Sequence, residues 1–341
     1  MNFNYKLFLI IFIGFFQLFI LESSLYLYAD YKINKPLDIS SKNFIIFEIG
    51  SGDSSTKISK RLYSQGLISS EFIFNYYIKK SKKENSLKAG KYLLSHNMSI
   101  RYIADKIIFG DIFIDKVKLV IPEGFTTYDI SDKLSKLEIS GKKDFLEYKV
   151  GDFKEDFYFL SDIDDGESLE GFLFPDTYEY NKATVTTEIV IKSMLDNFGK
   201  KFRNNLYKEM ARQDKSIFSI ITMASIIEKE VRTNEDLKIV SGILWKRLSV
   251  NMPLQVDATI VYASGHNEIT RDDLNFDSPY NTYLNNGLPK GPISNPGISA
   301  IEAAIYPSDS EYWFYISKPT GISVFSKNFD EHREAIKKYL K

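Results

Sequence analysis

Residues 217–230 read IFSIITMASIIEKE, and this stretch decides how the second half of the chain is interpreted. Its apolar residues recur with helical spacing, and the stripe they form consists of Ile217, Ile220, Ile221 and Ala224. At about 100° per residue, Glu228 lies roughly 20° from the start of this stripe, whereas Glu230 falls on the far side of the helix. The pattern predicts a buried helix that ends in a carboxylate on its apolar face.

An ionised carboxylate is expensive to bury, so Glu228 is expected to have a raised pKa and to hold its proton near neutral pH. That is the state required of a general acid that protonates a glycosidic oxygen. The alternative is that Glu228 forms an ion pair with a lysine or arginine at the rim of its domain.

Composition limits the function classes. The chain has 341 residues, 44% of them hydrophobic, so it can form two or three domains with buried cores. Its 44 basic and 45 acidic residues nearly cancel, which makes nucleic acid an unexpected partner. The chain has no cysteine, and its three histidines lack ligand spacing, so no metal site is expected. Phosphate-loop and dinucleotide motifs are absent from the sequence, so no cofactor is expected either.

The amino terminus predicts a membrane anchor. Residues 7–21 are apolar apart from Gln17, and a second apolar patch follows at residues 25–29. Lys6 precedes the run while Glu22 and Asp30 follow it, which favours a cytoplasmic amino terminus with the bulk of the chain outside the cytoplasmic (inner) membrane. A cleaved signal peptide is the competing interpretation, but no convincing cleavage site is present, and an uncleaved anchor is preferred. The predicted segments are a cytoplasmic tail (1–6), a transmembrane anchor (7–29) and a linker (30–42).

An internal repeat marks the next segment, residues 43–150. In each copy an apolar strand-like run meets a glycine turn and then a helix, and the paired segments are 49–52 with 58–62 and 121–124 with 130–134. Between the copies, residues 87–94 predict a turn and a short strand, and residues 99–109 predict a helix that Gly110 ends. Two copies are too few for a solenoid, so a compact α+β module is expected.

The remaining residues, 151–341, have a different texture. An acidic loop at 162–167 precedes three predicted helices, and these span residues 188–212, 216–231 and 237–248. Several loops combine rigid turns with polar and aromatic side chains, and they comprise residues 169–178, 279–283, 287–289 and 294–297. Such loops can offer hydrogen bonds to sugar hydroxyls beside flat apolar faces, although ordinary turn chemistry would look the same.

At these residues the sequence resembles the endolytic murein transglycosylases of the MltG (YceG-like) family over nearly the whole chain. The matching segments, in family order, are the anchor, 87–92, 121–124, 170–178, 224–230, 254–259, 280–283 and 287–289. Each is modest evidence alone, but their joint order is specific. The resemblance implies an α+β fold with a LysM-like module and an α+β catalytic domain, in which Glu228, the first glutamate of Glu-Lys-Glu, is catalytic.

The resemblance also implies the reaction. The C6 hydroxyl of the substrate's N-acetylmuramic acid attacks the anomeric carbon and closes a 1,6-anhydro ring, so one glutamate donates and then accepts a proton and the enzyme is a lyase. The implied partners are peptidoglycan glycan strands, the cytoplasmic membrane and the cell-wall synthesis machinery, with a role in ending strand growth. The candidate substrate-binding residues are Glu170, Phe174, Asp176, Thr177, Tyr178, Gln255, Asp257, Tyr280, Asn281, Thr282 and Asn295.

Two departures from the family pattern stand out. Lys290 occupies the position of a second proline after Gly-Leu-Pro, and a Gly-x-His-x-Phe pattern near the end of the chain lacks its histidine, with Ser323 and Phe325 in that segment. Two other functions remain open at this point. One is a hydrolase with Asp257 or Glu170 as second carboxylate, and the other is a wall-binding anchor without catalysis.

Overall fold

The computed structural model describes residues 5–266, 269–270, 272–318 and 320–340. Helices and strands are mixed throughout, which confirms the predicted α+β class. The chain divides into two compact units, Met1–Asp115 and Lys116–Lys341. The division therefore falls before the second copy of the repeat, and not at residue 150 as the sequence suggested.

The first unit contains four helices and a two-stranded sheet. Its elements in chain order are α1 (Tyr5–Asn34), β1 (Phe44–Ile49), α2 (Ser55–Ser64), α3 (Glu71–Lys80), β2 (Gly90–Ser95) and α4 (Ile100–Phe109). Strands β1 and β2 are antiparallel, with Phe44 opposite Ser95 and Ile49 opposite Gly90. Side chains alternate along β1, where Phe47 and Ile49 are buried and the intervening face is open.

Polar caps define the helices of this unit. The side chains of Ser54, Ser70 and Ser99 each accept a hydrogen bond from the backbone N–H three residues later, at the starts of α2, α3 and α4. Gly110 ends α4 in the left-handed conformation, with φ of 73°. The predicted helix between Ser99 and Gly110 is thereby confirmed.

Helix α1 is long and apolar enough to cross a membrane, judged by its length and composition. Within its 24-residue segment Ile11–Asn34, an 18-residue stretch has a mean hydropathy of 1.6. Near its end, Ala29 and Ile33 are buried in the core of the first unit, and Asn34 Oδ1 accepts a 2.7 Å hydrogen bond from Arg101 Nε. The linker expected from residue 30 is therefore helical and packed as far as Asn34, because its apolar residues have a core to join.

The second unit packs its helices around one core, together with two small sheets. Its elements are β3 (Lys116–Val120), α5 (Thr127–Lys136), β4 (Thr177–Asn181), α6 (Thr187–Lys201), α7 (Asn204–Arg212), α8 (Ile217–Glu230), α9 (Asn234–Ser249), α10 (Asp257–Ser264), α11 (Ile298–Ile305), β5 (Phe314–Ser317), β6 (Ser323–Ser326) and α12 (Phe329–Tyr339). Strand β3 pairs antiparallel with β4, and β5 pairs antiparallel with β6.

The pairing of β3 explains where the chain divides. Lys116 lies opposite Asn181 and Val120 opposite Thr177, so residues after 115 are bonded to the second half of the chain. Ile121, Ile130 and Val150 are buried in the same core as α8. The two copies of the repeat are both strand, turn and helix, but they lie in different units and their strands have different partners, so they do not form one module.

Candidate active site

Helix α8 carries both glutamates of the Glu-Lys-Glu segment. Ser216 caps its start, since the Ser216 side chain accepts a hydrogen bond from Ser219 N at 3.1 Å. Every residue from Ile220 to Ile227 is buried, so the helix has no wet face over this stretch. The sequence predicted Glu230 on the far side of the helix from the apolar stripe, and in the structure both glutamates are half-buried just beyond this enclosed stretch.

Glu228 is half-buried at the start of α11. Its Oε2 accepts a 3.0 Å hydrogen bond from Gly297 N, the N-cap residue of that helix. Burial raises the pKa of Glu228, the Gly297 bond and the Lys229 charge oppose the rise, and the charge of Glu123 adds to it. In the part of the chain that the structure describes, Oε1 of Glu228 makes no hydrogen bond to protein, and this oxygen is the one free to carry a proton.

Serine contacts on α8 place Gly297 beside Glu228. Ser225, one turn before Glu228, accepts a 3.0 Å hydrogen bond from Ile293 N at its Oγ, and its carbonyl accepts a 3.1 Å bond from Ser294 Oγ. The loop that leads into α11 is thereby fixed along α8. The start of α11 must then lie near the end of α8, where its free N–H groups and helix dipole favour an anionic oxygen.

Glu123 and Gly124 close the other side of the acid. Gly124 N donates to Asn295 O at 2.9 Å, and a side chain on Gly124 would begin 3.5 Å from Glu228 Cγ. Gly124 has φ of +75°, a conformation that favours glycine. A Cβ placed on Gly297 would lie 1.8 Å from Glu123 Oε1, so this carboxylate lies directly against the Gly297 backbone.

Glu230 has different surroundings from Glu228. Burial raises its pKa to about 7, opposed by a hydrogen bond with Tyr315 and by the charge of Arg247. Arg247 is buried, and its guanidinium donates to Trp313 O at 2.7 and 3.0 Å and to Leu254 O at 2.7 Å. The carboxyl group of Glu230 thus lies near Tyr315 and Arg247, whereas that of Glu228 lies at the start of α11.

A polar groove runs past both acids. One part has a volume of about 420 Å³, and its lining includes Glu123, Gly124, Glu228, Arg232 and Lys318. The adjoining part has a volume of about 480 Å³, and its lining includes Arg247, Gln255, Asp257, Tyr283 and Tyr315. The two parts share Lys229, Glu230 and Ser317. The groove is large enough for an extended polar ligand that contacts Glu228 at one end.

Gln255 and Asp257 are the predicted binding residues that line this groove. Both are exposed, and Gln255 has φ of +51°, a strained value for a residue other than glycine. Tyr283 OH donates a hydrogen bond to Asp257 Oδ1. The backbone N–H of Gln255 donates to Thr282 O at 3.1 Å, so the loop around residue 282 fixes the groove wall.

Glu170 and Asn295 lie away from the groove, inside the core. Glu170 is 1% exposed, and Thr127 N, Thr127 Oγ1 and Asn295 Nδ2 donate to it at 2.8 to 3.1 Å. Burial raises its pKa to about 7, while the Thr127 and Tyr262 bonds hold the rise down. Asn295 Oδ1 accepts from Gly171 N and Leu173 N, each at 2.9 Å. In this structure the hydrogen bonds of these two side chains join the loops around residues 127, 171 and 295.

The other predicted binding residues are either buried or half-buried in loops, or lie at or beside β4. Phe174, Asn281 and Thr282 are buried, and the amide of Asn281 donates to Leu274 O and Phe276 O within its own loop. Tyr280 is half-buried, with its ring 5.0 Å from that of Tyr262. The remainder lie at or beside β4, where Asp176 and Thr177 are exposed and Tyr178 OH donates to Phe174 O at 2.6 Å. None of these residues lines either part of the groove.

Several groove residues were missed by sequence reasoning. Glu123 and Tyr283 both stand in segments that the family resemblance uses, but neither was assigned a role. Ser317 and Arg247 carried no local signal, because each reaches the groove through tertiary packing of β5 and α9. Among the two departures, Ser323 Oγ donates to Asp236 Oδ2 at 2.8 Å, and Lys290 Nζ lies 3.8 Å from Glu167 Oε1.

The fold and the groove together define an α+β protein whose polar groove is lined by a half-buried carboxylate, Glu228, with a raised pKa. Comparisons with known proteins give its family. The family model described as the YceG-like family matches residues 47–338. The chain belongs to the YceG-like family, which confirms the resemblance drawn from the sequence motifs.

Individual relatives agree with this assignment. A protein from Bacillus subtilis (strain 168) named endolytic murein transglycosylase is 33% identical over 321 residues, which cover 90% of this chain and 88% of the relative. A protein of the same name from Streptococcus pneumoniae serotype 2 is 29% identical, and the match spans 89% of this chain but 60% of the longer relative. The crystal structure of a YceG-like protein from Listeria monocytogenes is 36% identical, with a TM-score of 0.56, and the match covers 86% of this chain and 99% of that one.

Proposed function

We propose that this protein is a membrane-anchored endolytic transglycosylase that cleaves the glycosidic bond between N-acetylmuramic acid and N-acetylglucosamine in peptidoglycan. The observation that best supports the proposal is the setting of Glu228, which combines a raised pKa, one free oxygen and a hydrogen bond from the N-terminus of α11. The names of the relatives support the substrate class.

In this mechanism, Glu228 first protonates the glycosidic oxygen, and burial favours the protonated form by raising its pKa. The C6 hydroxyl of the muramic acid residue then forms a bond to the anomeric carbon, and the bond to the leaving sugar breaks. Glu228, now a carboxylate, accepts the hydroxyl proton. The product ends in a 1,6-anhydro ring, water is not consumed, and the enzyme is a lyase.

The surroundings of Glu228 suit both halves of this cycle. Before proton transfer, burial and the nearby Glu123 carboxylate favour the protonated acid. After transfer, the Gly297 N–H and the Lys229 charge stabilise the carboxylate. Burial and Glu123 raise the pKa of Glu228, whereas the Gly297 N–H and Lys229 lower it. This balance suits a group that must both donate and accept a proton.

Sugar contacts are proposed for the groove residues Gln255, Asp257 and Tyr283, which are polar and open to solvent or half-buried. Glu170, Asn281, Thr282 and Asn295 are proposed to position the groove, since a direct sugar contact would require breaking buried hydrogen bonds. Roles in sugar binding for Phe174, Asp176, Thr177, Tyr178 and Tyr280 stay predictions.

The first unit is proposed to be a LysM-like wall-binding module. Its order of strand, two helices and strand, with the strands paired antiparallel, supports that proposal. Helix α1 is proposed to cross the inner membrane with its amino terminus in the cytoplasm. An enzyme tethered in this way would meet growing strands beside the synthesis machinery, which supports a role in ending their elongation.

The test is digestion of purified murein by wild type, Glu228→Gln and Glu230→Gln, with mass analysis of the products. Glu228→Gln keeps the side-chain shape but removes the titrating proton, so cleavage should fall by about 10²–10⁴-fold or more. Glu230→Gln is the matched control on the same helix and should lose much less. Products with reducing ends instead of anhydro ends would indicate a hydrolase. Absence of cleavage by wild type would favour a binding anchor. An inactive Glu230→Gln beside an active Glu228→Gln would show that Glu230, and not Glu228, is the catalytic acid.

A further inference from the structure

Helices α1 and α3 of the first unit enclose a cavity of about 820 Å³ that the proposed reaction does not use. Its walls are largely apolar or aromatic and include Phe19, Tyr26 and Ala29 of α1 with Phe72, Ile73 and Tyr76 of α3. A volume in this range suits an elongated small molecule or a lipid chain. Ile73 and Ala29 are buried beneath it, so the cavity has a firm floor.

Several large apolar side chains at the rim of the cavity are exposed to solvent. The Phe72 side chain is 75% exposed, and on α1 Leu25 and Leu27 are each 67% exposed. Contiguous exposed apolar groups of this kind mark a contact with another molecule or with lipid. About 20 helical residues cross the hydrocarbon core, so the part of α1 near Tyr26 lies at the headgroup level when the helix is inserted. Tyrosines are enriched at that level.

Lys32 is part of the cavity lining, and a run of lysines begins at the end of α3, the helix that forms one wall. Lys79, Lys80, Lys82 and Lys83 fall within five consecutive positions at the end of α3. Lys80 Nζ lies 4.2 Å from the centre of the Tyr26 ring and 5.8 Å from that of Tyr76. These contacts bring positive charge to the mouth of an apolar cavity, next to the helix that would enter the membrane.

Acidic groups nearby do not cancel this charge. Glu22 is the one acidic side chain in the cavity lining. Asp30 is 3.6 Å from Arg101 and so has a partner of its own. Glu71 and Glu84 flank α3 on the chain. The balance around the mouth of the cavity is basic, which complements the phosphate of an anionic lipid.

We propose that the first unit binds an anionic phospholipid, with an acyl chain in the cavity between α1 and α3 and the headgroup phosphate against Lys80 and its neighbouring lysines. The proposal rests on the insertion of α1 in the membrane. Bound in this way, the lipid fills the gap between the membrane helix and α3, and it holds α3 flat against the bilayer surface.

The experiment uses the full chain in lipid nanodiscs and a single fluorescent label. Because the sequence has no cysteine, Phe72→Cys gives one labelling position. Nanodiscs are made of phosphatidylcholine alone or of equal parts phosphatidylcholine and phosphatidylglycerol, with brominated acyl chains as quenchers. The label at position 72 should be quenched, and more strongly with phosphatidylglycerol. Phe109→Cys is the matched control, since that phenylalanine is 73% exposed and lies outside the cavity, and its label should stay unquenched.

A second pair of variants tests the lysines. Lys80→Gln/Lys83→Gln should weaken phosphatidylglycerol retention, counted by native mass spectrometry, by about tenfold. Lys57→Gln/Lys60→Gln removes the same charge from α2 and should change retention little. Equal quenching at positions 72 and 109, no quenching at 72, or equal loss in the two lysine pairs would overturn the proposal.

The outcome separates this site from the proposed function. A label at Leu18→Cys, within α1, should be quenched in either lipid; if it is not, α1 does not insert, and both the anchor and the lipid site are refuted. If position 18 is quenched while position 72 is not, the anchor stands and the lipid site falls. Murein cleavage by the labelled proteins is measured in parallel, and it reports on Glu228 independently of both results.

Discussion

Removing the charge of Glu123 should change the pH range in which the enzyme works. Gly297 N lies 3.0 Å from Glu228 Oε2, and a Cβ on Gly297 would lie 1.8 Å from Glu123 Oε1. A Cβ is about 2.5 Å from its own backbone nitrogen. The carboxyl oxygens of Glu123 and Glu228 are therefore at most about 7 Å apart.

That distance sets the size of the effect. Two unit charges about 7 Å apart repel by about 0.6 kcal/mol in bulk water and by about 2.4 kcal/mol at an effective dielectric of 20. One pH unit corresponds to about 1.4 kcal/mol, so the pKa of Glu228 should fall by about 0.4 to 1.7 units in Glu123→Gln. Because Glu123 is exposed, screening favours the lower half of that range.

The sign follows from the proposed role of Glu228 as the acid. Cleavage requires the protonated form, so the rate falls as pH rises through the pKa of Glu228. A lower pKa moves this basic limb to lower pH, and the assay is kcat for a soluble glycan as a function of pH. Glu179→Gln removes an exposed charge that pairs with Lys116 at 3.0 Å and should leave the limb in place. A limb that stays fixed or moves upward in Glu123→Gln would refute the argument.

Three further predictions follow from the geometry. Asn295→Ala removes the side-chain bonds to Gly171 and Leu173 and should lower the urea-measured free energy of unfolding by about 3 kcal/mol, whereas Asn285→Ala, at an exposed position, should lower it by less than about 1 kcal/mol. Burial raises the folded-state pKa of Glu230 to about 7, so between this value and its unfolded-state pKa the native protein binds more protons than the unfolded chain. Wild type therefore loses stability as pH rises through this range, and Glu230→Gln, which lacks the titrating group, should gain stability relative to wild type from pH 5 to pH 8 in denaturation curves. A difference that stays constant with pH would contradict the raised pKa. A reporter fused after the last residue should be active only outside the cytoplasm, and activity inside would reverse the proposed topology.

Local patterns predicted the helices well. Ser99 and Gly110 mark the ends of α4. Helix capping depends on residues that are neighbours in sequence, so it can be predicted from the sequence alone. The same reasoning placed the two glutamates of α8 around the helix but could not describe their surroundings. A stripe of apolar residues identifies the buried face of a helix only when the opposite face is exposed to solvent, and residues 220–227 are buried on every side.

Long-range pairing was beyond the sequence for a different reason. The bonds between β3 and β4 join residues around 118 to residues around 179, and neither strand has a feature that specifies its partner. The unit boundary and the approach of Glu123 to Glu228 both depend on such contacts. The burial of Glu170 could not be predicted for a related reason. A carboxylate in a Gly/Pro loop has the same sequence pattern whether it faces solvent or accepts hydrogen bonds from Thr127 and Asn295 inside a core.

The unbroken course of α1 limits how the first unit can move. About 20 of its residues are needed within the hydrocarbon, and the helix ends at Asn34 with Ile33 packed in the core. A rise of 1.5 Å per residue leaves a stalk of roughly 15 Å or less. With α1 inserted as proposed, the unit could not tumble freely on a tether. It would diffuse laterally in two dimensions with a fixed reach, and a glycan strand bound to it would have to pass within that thin layer above the bilayer.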